Sequence, residues 1–288
     1  IKTNARGGQI LYSDKPSKII APGPSWGGEI DVEFPSTRQY AWQQYFGDPT
    51  IGVGLVYMNL GAEVLGNCVA IYPYFLLHMI DLPHFQFNWK CGFGMSFFNK
   101  YYWNCDTVMD HYYTPQANPL IGSVLNVYLN TGLNVNFPLR DGWAVNAEFG
   151  FSHMSNGSTI KPNMGINMLY GSVGASYTIN DRGYTGGKKE KTFPDLPYVW
   201  SLKVTASGGT RQLYYPDRKN YGVGSFRVGA TYKVNNWYAV GGTIDAFYNG
   251  SYVKQGLDTI CGLDGIVMTD EENLAQQEHT IFDRYHIT

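Results

Sequence analysis

The chain has 288 residues and a formal net charge of −2, so it lacks the strong excess of basic residues that nucleic-acid binding requires. Charged residues make up only 15% of the chain, whereas 16% are aromatic and 34 are glycine. No run of 18 or more apolar residues is present, which excludes a transmembrane helix. The chain begins at Ile1 rather than Met, and we expect a processed form.

Alternation of apolar and polar residues, the period of a β-strand, predicts most of the elements. In residues 121–137 the odd positions are mostly apolar, while the even positions carry four asparagines. Similar stretches are long enough to cross a bilayer as tilted strands of about 9–11 residues. The predicted strands lie near residues 8–13, 28–34, 84–95, 121–137, 143–155, 165–179, 198–207, 225–234, 238–246 and 281–288.

The predicted connections also alternate in length. Residues 81–83, 138–142 and 235–236 form short turns, whereas the long connections are residues 98–119, 208–221 and 249–279. Short turns on one side and long loops on the other are typical of outer-membrane barrels, which close with an even number of strands. We therefore predict an all-β fold, an antiparallel transmembrane β-barrel of about 12 strands, with residues 1–288 forming a single domain. Residues 180–197 do not fit, because a long segment falls there on the short-turn side.

A soluble β-sandwich or a lipocalin-like barrel would show the same alternation with its apolar face inward. The length of the strands favours the membrane barrel. So do polar faces rich in Asn, Gly, Ser and Thr rather than in Lys and Glu, and aromatic residues near the strand ends.

The segment 143–179 carries the candidate chemistry. By parity, His153 and Ser155 share the apolar, lipid-facing side of one predicted strand, and Asn167 lies on the same side of the next. They could be polar residues at headgroup level without further role. Alternatively they form a Ser/His/Asn set, with Ser155 as nucleophile, His153 as its base and Asn167 orienting the imidazole.

Two motifs here resemble those of the PagL-type lipid A deacylases. The first is His153-Met154-Ser155-Asn156-Gly157, and the second is Pro162-Asn163-x-Gly165-Ile166. The family pattern is His-x-Ser-Asn, then Pro-Asn-x-Gly-Ile, then an acid. Segments 121–123 and 142–143 also fit the family's preceding residues, and the specific resemblance covers roughly residues 120–180.

The resemblance implies a serine esterase in the outer membrane of a Gram-negative bacterium that removes an acyl chain from lipid A in lipopolysaccharide. His153 and Ser155 match the family's catalytic pair. Asn163 matches a position proposed to form an oxyanion hole, and backbone amides near Asn156 and Gly157 are expected to assist. The family's acid is replaced by Asn167. Glu148 is a poor substitute for that acid, because the alternation of the strand places its side chain in the barrel lumen.

Lys161 stands beside these residues, where it could meet a lipid A phosphate or be an ordinary solvated loop lysine. We expect no metal and no cofactor, and no nucleic-acid partner.

Two other functions remain open at the level of the sequence. An inactive barrel of the same family could serve as an accessory subunit with a protein partner in an outer-membrane complex, and Asn167 makes this credible. A pore for small solutes is the second alternative, because the residues whose parity places them in the barrel lumen are polar. These residues are Asn126, Asn130, Asn134, Asn136, Lys203, Arg227, Lys233 and Asp245.

Overall fold

The structure is a computed structural model that describes residues 1–11, 23–37, 40–104, 118, 120–179, 199–213, 219–234 and 238–253. The chain divides into two compact units, Ile1–Phe193 and Pro194–Thr288. The prediction of one domain over residues 1–288 stays a prediction.

The first unit contains a closed barrel of eight antiparallel strands. Each strand pairs with the next along the chain, and the first strand pairs with the eighth, with Lys2 opposite Ser176 and Ile10 opposite Met168. A short helix α1, Ala41–Tyr45, precedes β3, and a 3-10 turn, Tyr102–Asn104, follows β5. The strands are β1 Lys2–Ile10, β2 Ser25–Phe34, β3 Thr50–Asn59, β4 Asn67–Leu82, β5 Phe85–Phe98, β6 Leu125–Pro138, β7 Trp143–Ser155 and β8 Ile166–Tyr177.

The prediction of about 12 strands in one barrel is wrong. The hydrogen bonds between β1 and β8 close the barrel at eight strands, so neither strand keeps a free edge for a ninth. The predicted strand at residues 281–288 and the unexplained segment 180–197 lie entirely outside the described residues. The predicted strand at 121–137 begins later, at Leu125, because the backbone before it bonds other segments: Leu120 bonds the loop that follows β7, and Ile121 and Val124 bond the segment at the end of β5.

The interior of this barrel is filled by buried side chains, an apolar and aromatic cluster together with a network of charged groups. The Lys90 ammonium lies 2.9 Å from a Glu29 carboxylate oxygen, 3.3 Å from Asp31 and 3.7 Å from Glu148. Arg6 pairs with Glu29 at 3.2 Å and stacks on the Tyr170 ring. Side chains fill the lumen of a barrel this narrow, so the described barrel gives no support to a pore for solutes.

The exterior of the barrel is apolar. Exposed aliphatic side chains such as Ile30, Leu55 and Leu133 cover the middle of the strands. Aromatic side chains lie towards both ends, with Trp26, Tyr57 and Phe97 near one end and Phe34, Trp143 and Tyr177 near the other. This order, apolar with aromatic margins, is typical of a surface that faces lipid. Within the described ranges, no helix combines the length and the apolar character that crossing a membrane requires.

The second unit contains a three-stranded antiparallel sheet in the order β11-β10-β9. Its strands are β9 Trp200–Arg211, β10 Tyr221–Lys233 and β11 Ala239–Asn249, and a 3-10 turn follows at Gly250–Val253. Part of the predicted long connection 208–221 is therefore strand, because β9 extends to Arg211. The polar residues Lys203, Arg227, Lys233 and Asp245 belong to this sheet, so their predicted place in the barrel lumen is wrong.

Candidate active site

The strand pair β7–β8 brings His153 and Asn167 directly opposite each other. Residues opposite each other in an antiparallel pair share one face, and here it is the outer face of the barrel, because the flanking Ser152 and Met154 are buried. The His153 Nδ1 atom lies 2.7 Å from Asn167 Oδ1. An amide oxygen only accepts, so Nδ1–H donates this hydrogen bond and Nε2 keeps its lone pair. The histidine is thereby held in the tautomer that a general base needs.

Ser155 ends β7, two residues beyond His153 and on the same face. Its Oγ accepts hydrogen bonds from Asn163 Nδ2 at 2.9 Å and from the Gly157 backbone N–H at 3.1 Å. The hydroxyl hydrogen is therefore available for donation to a base. Two converging donors beside a hydroxyl can also stabilise a negatively charged oxygen that forms there.

The Asn163 side chain is held in place by the backbone of its own loop. Its Oδ1 accepts from the Asn156 backbone N–H at 3.2 Å, which turns the amide nitrogen towards Ser155. The Asn156 side chain is buried and points elsewhere, donating to Ser123 Oγ at 2.8 Å and to the Ile160 carbonyl at 2.9 Å. Asn156 thus contributes its backbone to the site and its side chain to the loop.

Glycines permit the path of the loop 156–165. Gly157 has a φ of +64°, the left-handed region that glycine adopts without strain. Gly165 has a φ of +74°, and a Cβ there would lie only 3.2 Å from His153 Cε1. A side chain at residue 165 would therefore push on the histidine ring.

Asn118 and residues 120–123 support this loop from the side, and this role was not predicted. The Leu120 carbonyl accepts from the backbone N–H groups of Met164 and Gly165, at 3.1 and 3.0 Å. Asn118 Oδ1 in turn accepts from the backbone N–H groups of Leu120 and Ile121. The alternation of the sequence assigned residues 121–123 to a predicted strand, and the family resemblance marked them as well, but neither predicted their support of the loop, because a contact between loops leaves no periodic signal in a sequence.

Lys161 lies half-buried in the same loop. Its carbonyl accepts from Trp103 Nε1 at 2.8 Å, which ties the loop to the 3-10 turn after β5.

The described contacts do not include a hydrogen bond between His153 and Ser155, a contact that often tightens only when substrate binds. Glu148, the poor substitute for the family's acid, lies inside the barrel, where its carboxylate accepts a hydrogen bond from the Tyr170 hydroxyl. Among the described residues, no group of three or more His, Cys, Asp or Glu side chains could hold a metal ion.

A closed antiparallel barrel with an apolar exterior and a packed polar interior defines an outer-membrane protein. The family model described as lipid A 3-O-deacylase (PagL) matches residues 26–176, more than half of the chain. The chain belongs to this family and is located in the outer membrane. A second model, described as acyloxyacyl hydrolase, C-terminal domain, matches residues 200–279.

Two solved structures give further comparisons. The chain is 18% identical to the outer membrane enzyme PagL, with a TM-score of 0.43, and the match covers 60% of this chain and 98% of that one. It is 10% identical to the FrpB iron transporter from Neisseria meningitidis, with a TM-score of 0.21, over 85% of this chain and 42% of that one. No curated relative matches the chain.

Proposed function

We propose that the chain is a serine esterase that cleaves the 3-O-linked acyl chain from lipid A. The observation that carries this proposal is the joint geometry of Ser155, His153 and Asn167 on the outer face of β7 and β8. Membership in the lipid A 3-O-deacylase family indicates that the substrate is lipid A and that the bond cleaved is the 3-O-linked acyl ester.

In the first half of the reaction, His153 Nε2 takes the proton of the Ser155 hydroxyl, and Oγ attacks the ester carbonyl. The Nδ1–H bond to Asn167 keeps the imidazole in place as it becomes positively charged. The carbonyl oxygen becomes an oxyanion. The two donors that now reach Ser155 Oγ, Asn163 Nδ2 and the Gly157 N–H, are placed to stabilise it.

The tetrahedral intermediate then breaks its bond to the sugar oxygen. His153 returns the proton to that oxygen, so the deacylated lipid leaves as an alcohol and the acyl group stays on Ser155. In the second half, water replaces the alcohol and His153 takes its proton. The acyl chain leaves as a fatty acid, and Ser155 regains its hydrogen.

The placement of the site suits a substrate that is itself a membrane lipid. The loop 156–165 lies at the end of the barrel opposite the tight turns after β4 and β6, the end at which long loops face the cell exterior. The site opens on the apolar outer surface. Lipid A in the outer leaflet would therefore reach Ser155 by lateral diffusion, and Lys161 beside the site would meet a phosphate of its headgroup.

The first experiment compares the wild type with Ser155→Ala on purified lipid A, read by mass spectrometry. We expect the wild type to remove one acyl chain and Ser155→Ala to remove none. Thr131→Ala is the matched control, since Thr131 lies on the outer face of β6 and bonds only the Trp89 indole among the described contacts. It should retain full activity.

An inactive barrel that acts as an accessory subunit is the competing function, and the amide of Asn167 in place of a carboxylate is the observation that favours it. Intact lipid A with the wild type, under conditions in which the barrel is folded, would support this function. Deacylation by Ser155→Ala at the wild-type rate would instead refute the serine mechanism.

A further inference from the structure

The sheet β9–β11 keeps its charged residues on one face, which also carries Tyr221, Val223 and Phe247, and its other face is free of charge. Val204, Val228 and Ile244 form one row across the three strands, and Trp200, Tyr232 and Val240 form the row at one end. In these strands, all of which the structure describes, every charged residue has the opposite parity and lies on the other face. These residues are Lys203, Arg211, Arg227, Lys233 and Asp245.

The side chains of the apolar face are exposed. Trp200 is 71% exposed, Leu202 is 73% exposed and Ile244 is 66% exposed. The rings of Trp200 and Tyr232 lie 5.2 Å apart at one end of this face, and Tyr248 lies at the other end. Aliphatic residues and Phe226 occupy the middle of the face, and aromatic residues stand at its two ends, as on the lipid-facing exterior of the eight-stranded barrel.

The opposite face is suited to water. Arg227 forms an ion pair with Asp245 across β10 and β11, and Thr243 Oγ1 donates to the same carboxylate at 3.3 Å. Ser207 and Ser225 share a hydrogen bond of 2.7 Å between β9 and β10. These groups satisfy one another, with Asp245 buried and Arg227 half-exposed, and the lysines extend from the same face.

We propose that the apolar face of the sheet β9–β11 is a second lipid-contacting surface of the chain, covered by the acyl chains of membrane lipids. The polar face is then in contact with water. This inference is independent of the esterase proposal, because it uses none of the residues of the Ser155 site.

The chemistry of the face favours lipid over a protein partner. Protein interfaces of standard size carry about ten hydrogen bonds and a polar rim. Apart from the aromatic residues, the side chains of this face that can form a hydrogen bond are limited to Thr210. Acyl chains require no hydrogen bonds, and aromatic residues at both ends match the two polar margins of a lipid-contacting surface.

Photo-cross-linking of the full chain tests this inference. Benzoylphenylalanine replaces Leu202 or Ile244 on the apolar face, and their sequence neighbours Lys203 or Thr243 on the polar face. The protein is reconstituted in vesicles of phosphatidylethanolamine and phosphatidylglycerol. Phe149, which is 61% exposed on the barrel exterior, is the positive control. Heat-dependent gel mobility verifies that each variant contains a folded barrel.

We expect lipid adducts from positions 202 and 244 at the level given by position 149, and at least tenfold fewer from positions 203 and 243. Equal lipid adducts from the two faces would overturn the proposal. Cross-links from position 202 or 244 mainly to a second copy of the chain would also overturn it. Two positions on each face keep the result independent of the folding of any one variant, and Ser155→Ala in the same background should leave the adducts unchanged.

Discussion

The contact between His153 and Asn167 offers the sharpest test of the proposed chemistry. When His153 takes the proton of Ser155, the 2.7 Å hydrogen bond to Asn167 becomes one from a charged imidazolium. Hydrogen bonds to charged groups contribute about 1.5–3 kcal/mol. Asn167→Ala removes this bond in the transition state, so kcat should fall roughly 10- to 150-fold, since about 1.4 kcal/mol corresponds to a factor of ten.

Asn167→Asp tests the same reasoning in the opposite direction. The carboxylate keeps an acceptor for Nδ1–H and adds a negative charge beside the imidazolium. A half-exposed pair of this kind contributes up to about 1 kcal/mol, so kcat should rise up to about 5-fold.

Both variants are assayed by the rate of fatty acid release from lipid A at saturating substrate, beside Thr131→Ala. The KM should change little, because Asn167 contacts His153 rather than the lipid. Full kcat in Asn167→Ala would refute the assignment of Asn167 as the residue that orients the base.

Three further predictions concern the oxyanion donors, the headgroup and the barrel interior. Asn163→Ala removes one of the two donors at Ser155 Oγ and should lower kcat about 100- to 1000-fold with little change in KM, and an unchanged kcat would exclude an oxyanion role. Lys161→Gln should raise KM roughly 2- to 5-fold for phosphorylated lipid A and leave KM for the dephosphorylated lipid unchanged, and equal effects on both lipids would argue against a phosphate contact. Lys90→Met leaves the carboxylates of Glu29 and Asp31 without their shared cation and should destabilise the barrel by about 3–5 kcal/mol in urea unfolding from vesicles, whereas wild-type stability would show that the interior network contributes little.

The outer face of β7 and β8 could be predicted from the sequence with no knowledge of the fold beyond the strand period. Side chains alternate between the two faces of a strand, so the parity of His153, Ser155 and Asn167 placed all three on the apolar side. The structure adds that His153 and Asn167 are direct partners across the strands. Parity alone leaves the register between two strands open, since a shift by two residues keeps every side chain on its face.

The support of the site was beyond the sequence. Leu120 reaches the loop 156–165 through backbone hydrogen bonds between segments about 40 residues apart in the chain, and the Asn118 side chain holds Leu120 from the other side. Such contacts depend on how the loops meet at the barrel end. The Gly157 N–H and Asn163, by contrast, were expected from the family resemblance, and their contacts with Ser155 lie within the single loop that follows β7.

The sequence by itself determined that this protein is built of strands with one apolar and one polar face, and on which face the candidate catalytic residues lie. Only the tertiary structure decided how many strands close into the barrel. The alternation in β9–β11 is the same as in β1–β8, because period two reports the two environments of a strand and carries no information about its neighbours. The pairing of strands carries that information. Hydrogen bonds between β1 and β8 join strands more than 150 residues apart, and β9–β11 form a separate sheet.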